Sequence, residues 1–199
     1  MMDSNLLYRS SVLVILLVVF GISAYYRTRA RSSGEVISRA QEGRLVLILR
    51  LVFGLPLLAV LLLDIFYPRA LAWAKFSLPA GVQLAALIAA AFCVVLLWWV
   101  LRSIGNNISE TVLVKKEGDL VTSGPYRYVR HPLYASALLF LLALSLVFRD
   151  WIILNYSLVG ILAFRLLVIP AEEKQLLESF GEEYECYQSR TGALLPWIR

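Results

Sequence analysis

Five apolar blocks dominate this chain, and each is long enough to cross a bilayer as a helix. They run from Leu6 to Tyr26, Leu45 to Phe66, Pro79 to Leu101, Pro132 to Phe148 and Trp151 to Ile169. A hydrocarbon core about 30 Å thick is crossed by roughly 17–25 helical residues. Inside it, only a helix or a closed barrel satisfies every backbone polar group. A chain that is 60% hydrophobic and 17% charged also lacks the polar surface of a soluble domain. The expected fold is therefore an all-α, polytopic membrane protein with about five transmembrane helices in a single domain, residues 1–199. Only Arg149 and Asp150 separate the last two blocks, which predicts a tight antiparallel hairpin.

The basic residues orient the spans. The connection after the first block carries Arg27, Arg29, Arg31, Arg39 and Arg44. The one after the third carries Arg102, Lys115, Lys116, Arg127 and Arg130, and the tail adds Lys174, Arg190 and Arg199. The other side holds only Arg9, Arg69, Lys75 and Arg149. By the positive-inside rule the N-terminus lies outside and the C-terminus in the cytoplasm. The same rule accounts for the net charge of +5, so no nucleic-acid partner is expected. Two cysteines, Cys93 in a span and Cys186 in the tail, have no metal-ligand or disulfide spacing, and His131 is the single histidine, so no metal is expected. The first block runs into Tyr25, Tyr26 and Arg27 without a small-residue cleavage site and reads as a retained helix.

Two segments on the cytoplasmic side carry the chemistry-bearing residues. Gly118 to Tyr134 reads GDLVTSGPYRYVRHPLY. Gly124-Pro125 marks a turn, and Pro132 suits the first turn of a helix capped by His131. That helix end has free N–H groups and partial positive charge, a place for a ligand carboxylate. Tyr and Arg are also common interfacial anchors, and a lone histidine is often only a cap. Glu172 to Tyr187 reads EEKQLLESFGEEYECY. Leu176, Leu177, Phe180, Tyr184 and Tyr187 recur at helical spacing and give one apolar face, as a helix on the membrane surface would. Glu172 and Glu173 stand at the membrane boundary, where a charge calls for a partner or ligand. Pro170 is expected to bend the helix just before them. Leu194-Leu195-Pro196-Trp197-Ile198 reads as a closing interfacial anchor.

The stretch LVTSGPYRYVRHPLY, followed by EEKQLLESFGEEYECY and a terminal LLPWI, resembles the isoprenylcysteine carboxyl methyltransferase and phospholipid methyltransferase family. The resemblance covers the C-terminal half, from Asn106 onward. It implies S-adenosylmethionine as methyl donor, with residues 102–199 as the cofactor-binding catalytic core behind three N-terminal helices, residues 1–101. By family pattern the donor is enclosed by Leu120, Val121, Gly124, Tyr126, His131, Pro132, Leu133 and Tyr134, with Glu172 and Glu173 at the end of the last membrane helix. Glu172, Arg165 and Arg130 are the candidates to act on the reacting groups. The carboxyl methyltransferases usually carry an arginine four residues before the first Glu, where this chain has Val168. Arg165 lies about one turn earlier, turned by roughly 60° on a regular helix.

The implied reaction is an in-line methyl displacement onto a lipid or prenylated amphiphile that enters from the bilayer, at the cytoplasmic face of a membrane expected to be prokaryotic. Two other readings stand beside it. A sterol-type reductase would use Arg127 and Arg130 to bind NADPH. A non-enzymatic transporter or assembly protein would use charges inside spans, for which Arg50, Asp64 and Arg165 are candidates.

Overall fold

The computed structural model describes residues 4–32, 44–104 and 120–196. The connection after Ser32, the charges Arg39, Lys115, Lys116 and Arg199, Gly118 of the first cytoplasmic segment, and Trp197 and Ile198 of the closing anchor lie outside them, as does the side chain of Arg50. All regular structure among the described residues is helical. In chain order it comprises α1 (Ser4–Ser32), α2 (Arg44–Phe66), a 3-10 helix (Pro68–Ala74), α3 (Ala80–Ile104), a 3-10 turn (Gly124–Arg127) and α4 (Pro132–Phe148). There follow α5 (Trp151–Ala163), a π turn (Phe164–Val168), α6 (Ile169–Phe180) and α7 (Glu182–Arg190). Strand-like pairing is limited to two isolated bridges, Lys75 with Asp150 and Val129 with Gly192.

Three helices are long and apolar enough to cross a membrane: Asn5–Arg29, Ala80–Ile104 and Trp151–Phe180. A fourth span results if Phe53–Phe66 and Pro68–Ala74, bent by 114°, are taken together, and Pro132–Phe148 is a shorter apolar helix. Their outward faces carry Val14, Leu17, Phe20, Ile88, Phe92, Val95 and Leu162, all exposed. An apolar surface that large is not sustained against water, and lipid is its natural neighbour.

The helices meet on small residues. Ala86 and Ala90 of α3 and Ala143 of α4 are buried beside Leu144, Val147 and Ile153, which lets the backbones approach closely in a medium that supplies no hydrophobic drive. Gly160 of α5 faces α4, where an added Cβ would lie 3.3 Å from Leu138. The α4–α5 hairpin turns on Arg149 and Asp150. Arg149 takes the left-handed conformation (φ 55°) that ends α4, and Asp150 caps α5 by accepting from the N–H groups of Ile152 and Ile153 at 2.7 and 3.1 Å. Asp150 also accepts from Lys75 Nζ at 3.0 Å, and Lys75 pairs in turn with Asp64 of α2. Asp64 and Asp150 are both fully buried. Asp64 is thus a charge neutralised at a helix end, in a three-residue corner whose members stand far apart along the chain.

The helix is not broken at Pro170. Residues 151–180 form one continuous 30-residue helix. Proline has no N–H to donate and its ring crowds the carbonyl four residues back. The chain absorbs this by widening one turn, so that the Ile169 N–H bonds to Phe164 O, five residues earlier. The 60° offset between Arg165 and Val168 assumed a regular α-helix, which this turn replaces. The apolar part, Trp151 to Ile169, is about 28 Å long. The rest projects beyond it and carries Glu172 and Glu173 to the His131 end of α4.

Candidate functional site

The site forms where the start of α4, the start of α6 and the C-terminal helix α7 converge. Gly124 seats the first segment on α3. Its φ of 62° suits glycine, and a Cβ there would lie 2.5 Å from Ser103 Oγ. Residues 129–131 then pair with the tail: Arg130 N donates to Gly192 O at 2.8 Å and His131 N to Ala193 O at 3.0 Å. His131 stands at the cap of α4 and Pro132 follows in its first turn, but the imidazole makes no capping hydrogen bond. It turns instead toward α6.

There the ring lies between two carboxylates. Nε2 is 3.1 Å from Glu173 Oε1, and Nδ1 is 3.4 Å from Glu172 Oε2. Glu173 is saturated. Arg130 Nε donates to its Oε1 at 2.8 Å, and Gln188 Nε2 donates to its Oε2 at 3.0 Å. Arg130 Nη1 also donates to Gln188 O at 3.1 Å and to Thr191 O. Arg130 is therefore a buried clasp behind Glu173, tying α6, α7 and the tail together. Glu172 Oε2 is buried with no formed hydrogen bond, His131 Nδ1 being its ion-pair neighbour at 3.4 Å, and it keeps the capacity to accept from something else.

Burial disfavours a charged His131 ring, but the Glu172 and Glu173 carboxylates outweigh it and raise its pKa above the ordinary 6.5. Burial likewise works against Glu173, yet its bonds to His131 and Arg130 hold it down to about 2. The stabilisation from charged His131 is complete below 6.5 and is lost as pH rises through the raised value. That from Glu173 is lost only as pH falls from 4.5 toward about 2. The unfolding midpoint in detergent should therefore decline with rising pH above 6.5. A His131→Gln variant should lack that decline; an unchanged profile would contradict the buried imidazolium.

Aromatic rings close the site toward the spans. Tyr134 stacks parallel to His131 with centroids 5.7 Å apart, and Phe164 of the π turn packs on Tyr134 at 4.7 Å. Tyr126 is held from behind, its carbonyl accepting from Tyr187 Oη at 2.7 Å. Burial and the nearby Glu172 carboxylate push the Tyr126 phenol upward, and burial pushes Tyr187 up to about 12, so both remain protonated donors. Leu133 points the other way, into a cluster with Leu101, Ile22, Tyr26, Leu97 and Ile104. Leu120 and Val121 are half-buried at the start of the described segment, and Arg165 is exposed on the π turn.

The structure thus brings His131, Glu172, Glu173, Tyr126, Tyr134 and Arg130 together, and it leaves Leu133 and Arg165 outside that cluster. It adds Gln188, Tyr187 and Thr191, which the sequence reading missed. Tyr187 had been read as part of an apolar face. The signal that could have found Gln188 is Gly181, whose φ of 53° breaks the segment into two helices and folds the second back on Glu173.

The chain matches the isoprenylcysteine carboxyl methyltransferase (ICMT) family over residues 85–178. Protein-S-isoprenylcysteine O-methyltransferase of Schizosaccharomyces pombe is 34% identical over 97 residues, 47% of this chain and 41% of that protein. Methanethiol S-methyltransferase of Pseudomonas deceptionensis is 34% identical over 83 residues, 42% of this chain and 30% of that protein. The chain spans less than half the length of either curated relative. The solved structure of the eukaryotic intramembrane Ras methyltransferase ICMT shares the fold, with a TM-score of 0.52 and 21% identity over 82% of this chain and 55% of that one. Over residues 85–178, which hold the first cytoplasmic segment, the hairpin and both glutamates, this chain is similar to the isoprenylcysteine carboxyl methyltransferase family.

Proposed function

We propose that this protein is an integral membrane methyltransferase. It takes its methyl group from S-adenosylmethionine and passes it to a lipid or prenylated amphiphilic acceptor at the cytoplasmic face. The observation that carries this reading is Glu172 Oε2, a buried carboxylate oxygen with no formed hydrogen bond, 3.4 Å from His131 Nδ1 at the membrane end of the two motifs. A polar, positively charged donor molecule suits that oxygen, because the neighbouring Arg130 and Glu173 are already paired with each other.

The donor supplies an electrophilic methyl on a sulfonium. The chain's residues hold and enclose it. Glu172 provides negative potential and an acceptor, and His131 fixes Glu172 while bonded to Glu173. Tyr134 and Phe164 wall off water on the side facing the spans, where an acceptor held close to the methyl gains most of its rate from position. Residues 102–199 serve as this core, with 1–101 as lipid-facing support. Counting the bent α2 and the shorter α4 as spans makes five, and with the N-terminus outside, the side the basic connections favour, the site faces the cytoplasm. Arg165, exposed on the π turn, is available to an anionic acceptor headgroup. The relatives' names include both a prenylated cysteine carboxylate and a small thiol as acceptors, and the apolar walls favour the former class. The NADPH reading loses one of its two candidate ligands, because Arg130 is committed to Glu173 and two carbonyls while Arg127 stays exposed.

Membranes containing the protein, given S-adenosylmethionine with a labelled methyl and a prenylcysteine acceptor, should release label into the organic phase. Glu172→Gln should cut that transfer by at least tenfold. No transfer to any amphiphile by the unaltered protein would sink the proposal.

A further inference from the structure

Four buried side-chain polar atoms among the described residues lack a hydrogen-bond partner: Asp64 Oδ2, Arg149 Nε, Glu172 Oε2 and Tyr184 Oη. The first belongs to the ionic corner and the second to the hairpin turn, where Arg149 bonds to Asn5. The other two share the candidate site. Tyr184 of α7 is 1% exposed, yet its hydroxyl bonds to nothing. Its neighbour Tyr187, with ring centroids 6.0 Å away, has used its own hydroxyl on Tyr126 O. Tyr184 lies one helical turn before Gln188, whose side chain bonds to Glu173, so it shares the face of α7 that packs on the carboxylates. Burial, reinforced by the Glu173 charge, raises its pKa and keeps it a donor.

Buried polar groups are ordinarily paired, and two orphans of complementary kind in one cluster point to a shared ligand. Glu172 Oε2 can only accept, and Tyr184 Oη has a proton to give. A ligand carboxylate would satisfy Tyr184 but be repelled by Glu172 and Glu173. A ligand ammonium would satisfy Glu172 but has no acceptor for the phenol's proton. A hydroxyl serves both, donating to Glu172 and accepting from Tyr184. We infer that Tyr184 is a ligand-contacting residue which, with Glu172, recognises a sugar hydroxyl of the nucleoside part of the methyl donor. This rests on the methyltransferase reading above.

The test is Tyr184→Phe, which removes one oxygen and keeps the ring. Because the hydroxyl has no partner in the protein, the ligand-free variant should unfold at the same temperature as the unaltered protein or higher. Its affinity for S-adenosylhomocysteine in calorimetric titration should fall about tenfold, the loss of one hydrogen bond to a ligand. Against the 2′,3′-dideoxy analogue of S-adenosylhomocysteine, the variant and the unaltered protein should bind alike. The inference is overturned if the variant binds S-adenosylhomocysteine undiminished, if its ligand-free unfolding temperature drops, or if it loses as much against the dideoxy analogue. Absence of binding by the unaltered protein would instead remove the underlying function, and this inference with it.

Discussion

Replacing Lys75 with methionine should destabilise the protein by about 3–5 kcal/mol, the usual cost of stranding a buried charge. Lys75 is the cation between Asp64 and Asp150, which are 1% and 0% exposed. Methionine keeps an unbranched apolar stem but removes the ammonium, which also lies 5.9 Å from the Phe148 ring centroid, and leaves two buried carboxylates facing each other. Removing one acid is milder. Asp150→Ala leaves Asp64 paired with Lys75 and relieves repulsion between the acids. Its main loss is the cap of α5, about 1 kcal/mol. The order of effects separates this account from one in which the corner is only a cap. Denaturation in a fixed mixed micelle should show Lys75→Met well below Asp150→Ala, and the reverse order would contradict the geometry.

Arg130→Ala should loosen the candidate site from behind. The guanidinium bonds to Glu173 and to the carbonyls of Gln188 and Thr191, from a side chain only 9% exposed. Its loss leaves those carbonyls and part of Glu173 unpaired, again about 3–5 kcal/mol. The cost should fall on the α7 end of the molecule, not on the hairpin. Amide exchange in residues 182–196 should rise while that of α4 below its first turn stays protected. Arg130→Lys should not rescue it, because an ammonium cannot span three acceptors in the plane of a guanidinium. Equal exchange in α7 of the variant would show that Arg130 is not the clasp.

Much of the helical architecture was legible because apolar length is a strong signal. The fourth block, Pro132 to Phe148, coincides with α4, since Pro132 can only open a helix and Arg149 ends it in the left-handed region. The π turn was not legible. It differs from an α turn by a single shift in hydrogen-bond register, and the sequence offers only Pro170, which equally suggests a bend. The ionic corner was missed because Asp64 and Lys75 meet only after the chain turns through 114°. In the site, His131, Glu172 and Glu173 were singled out from their positions at membrane boundaries. The division of labour between the glutamates was not. It depends on Gly181 turning α7 back so that Gln188 and Arg130 saturate Glu173 and leave Glu172 beside His131 with acceptor capacity to spare. Tyr184 was read as apolar spacing, and only its burial without a partner marks it otherwise.

The most direct measurement is calorimetric titration of the detergent-purified protein with S-adenosylhomocysteine, run beside NADPH and repeated with Glu172→Ala. Saturable binding of S-adenosylhomocysteine by the unaltered protein, lost or much weakened in the variant, with no heat from NADPH, is the expected result. Binding of NADPH instead, or S-adenosylhomocysteine binding indifferent to Glu172, would contradict the account.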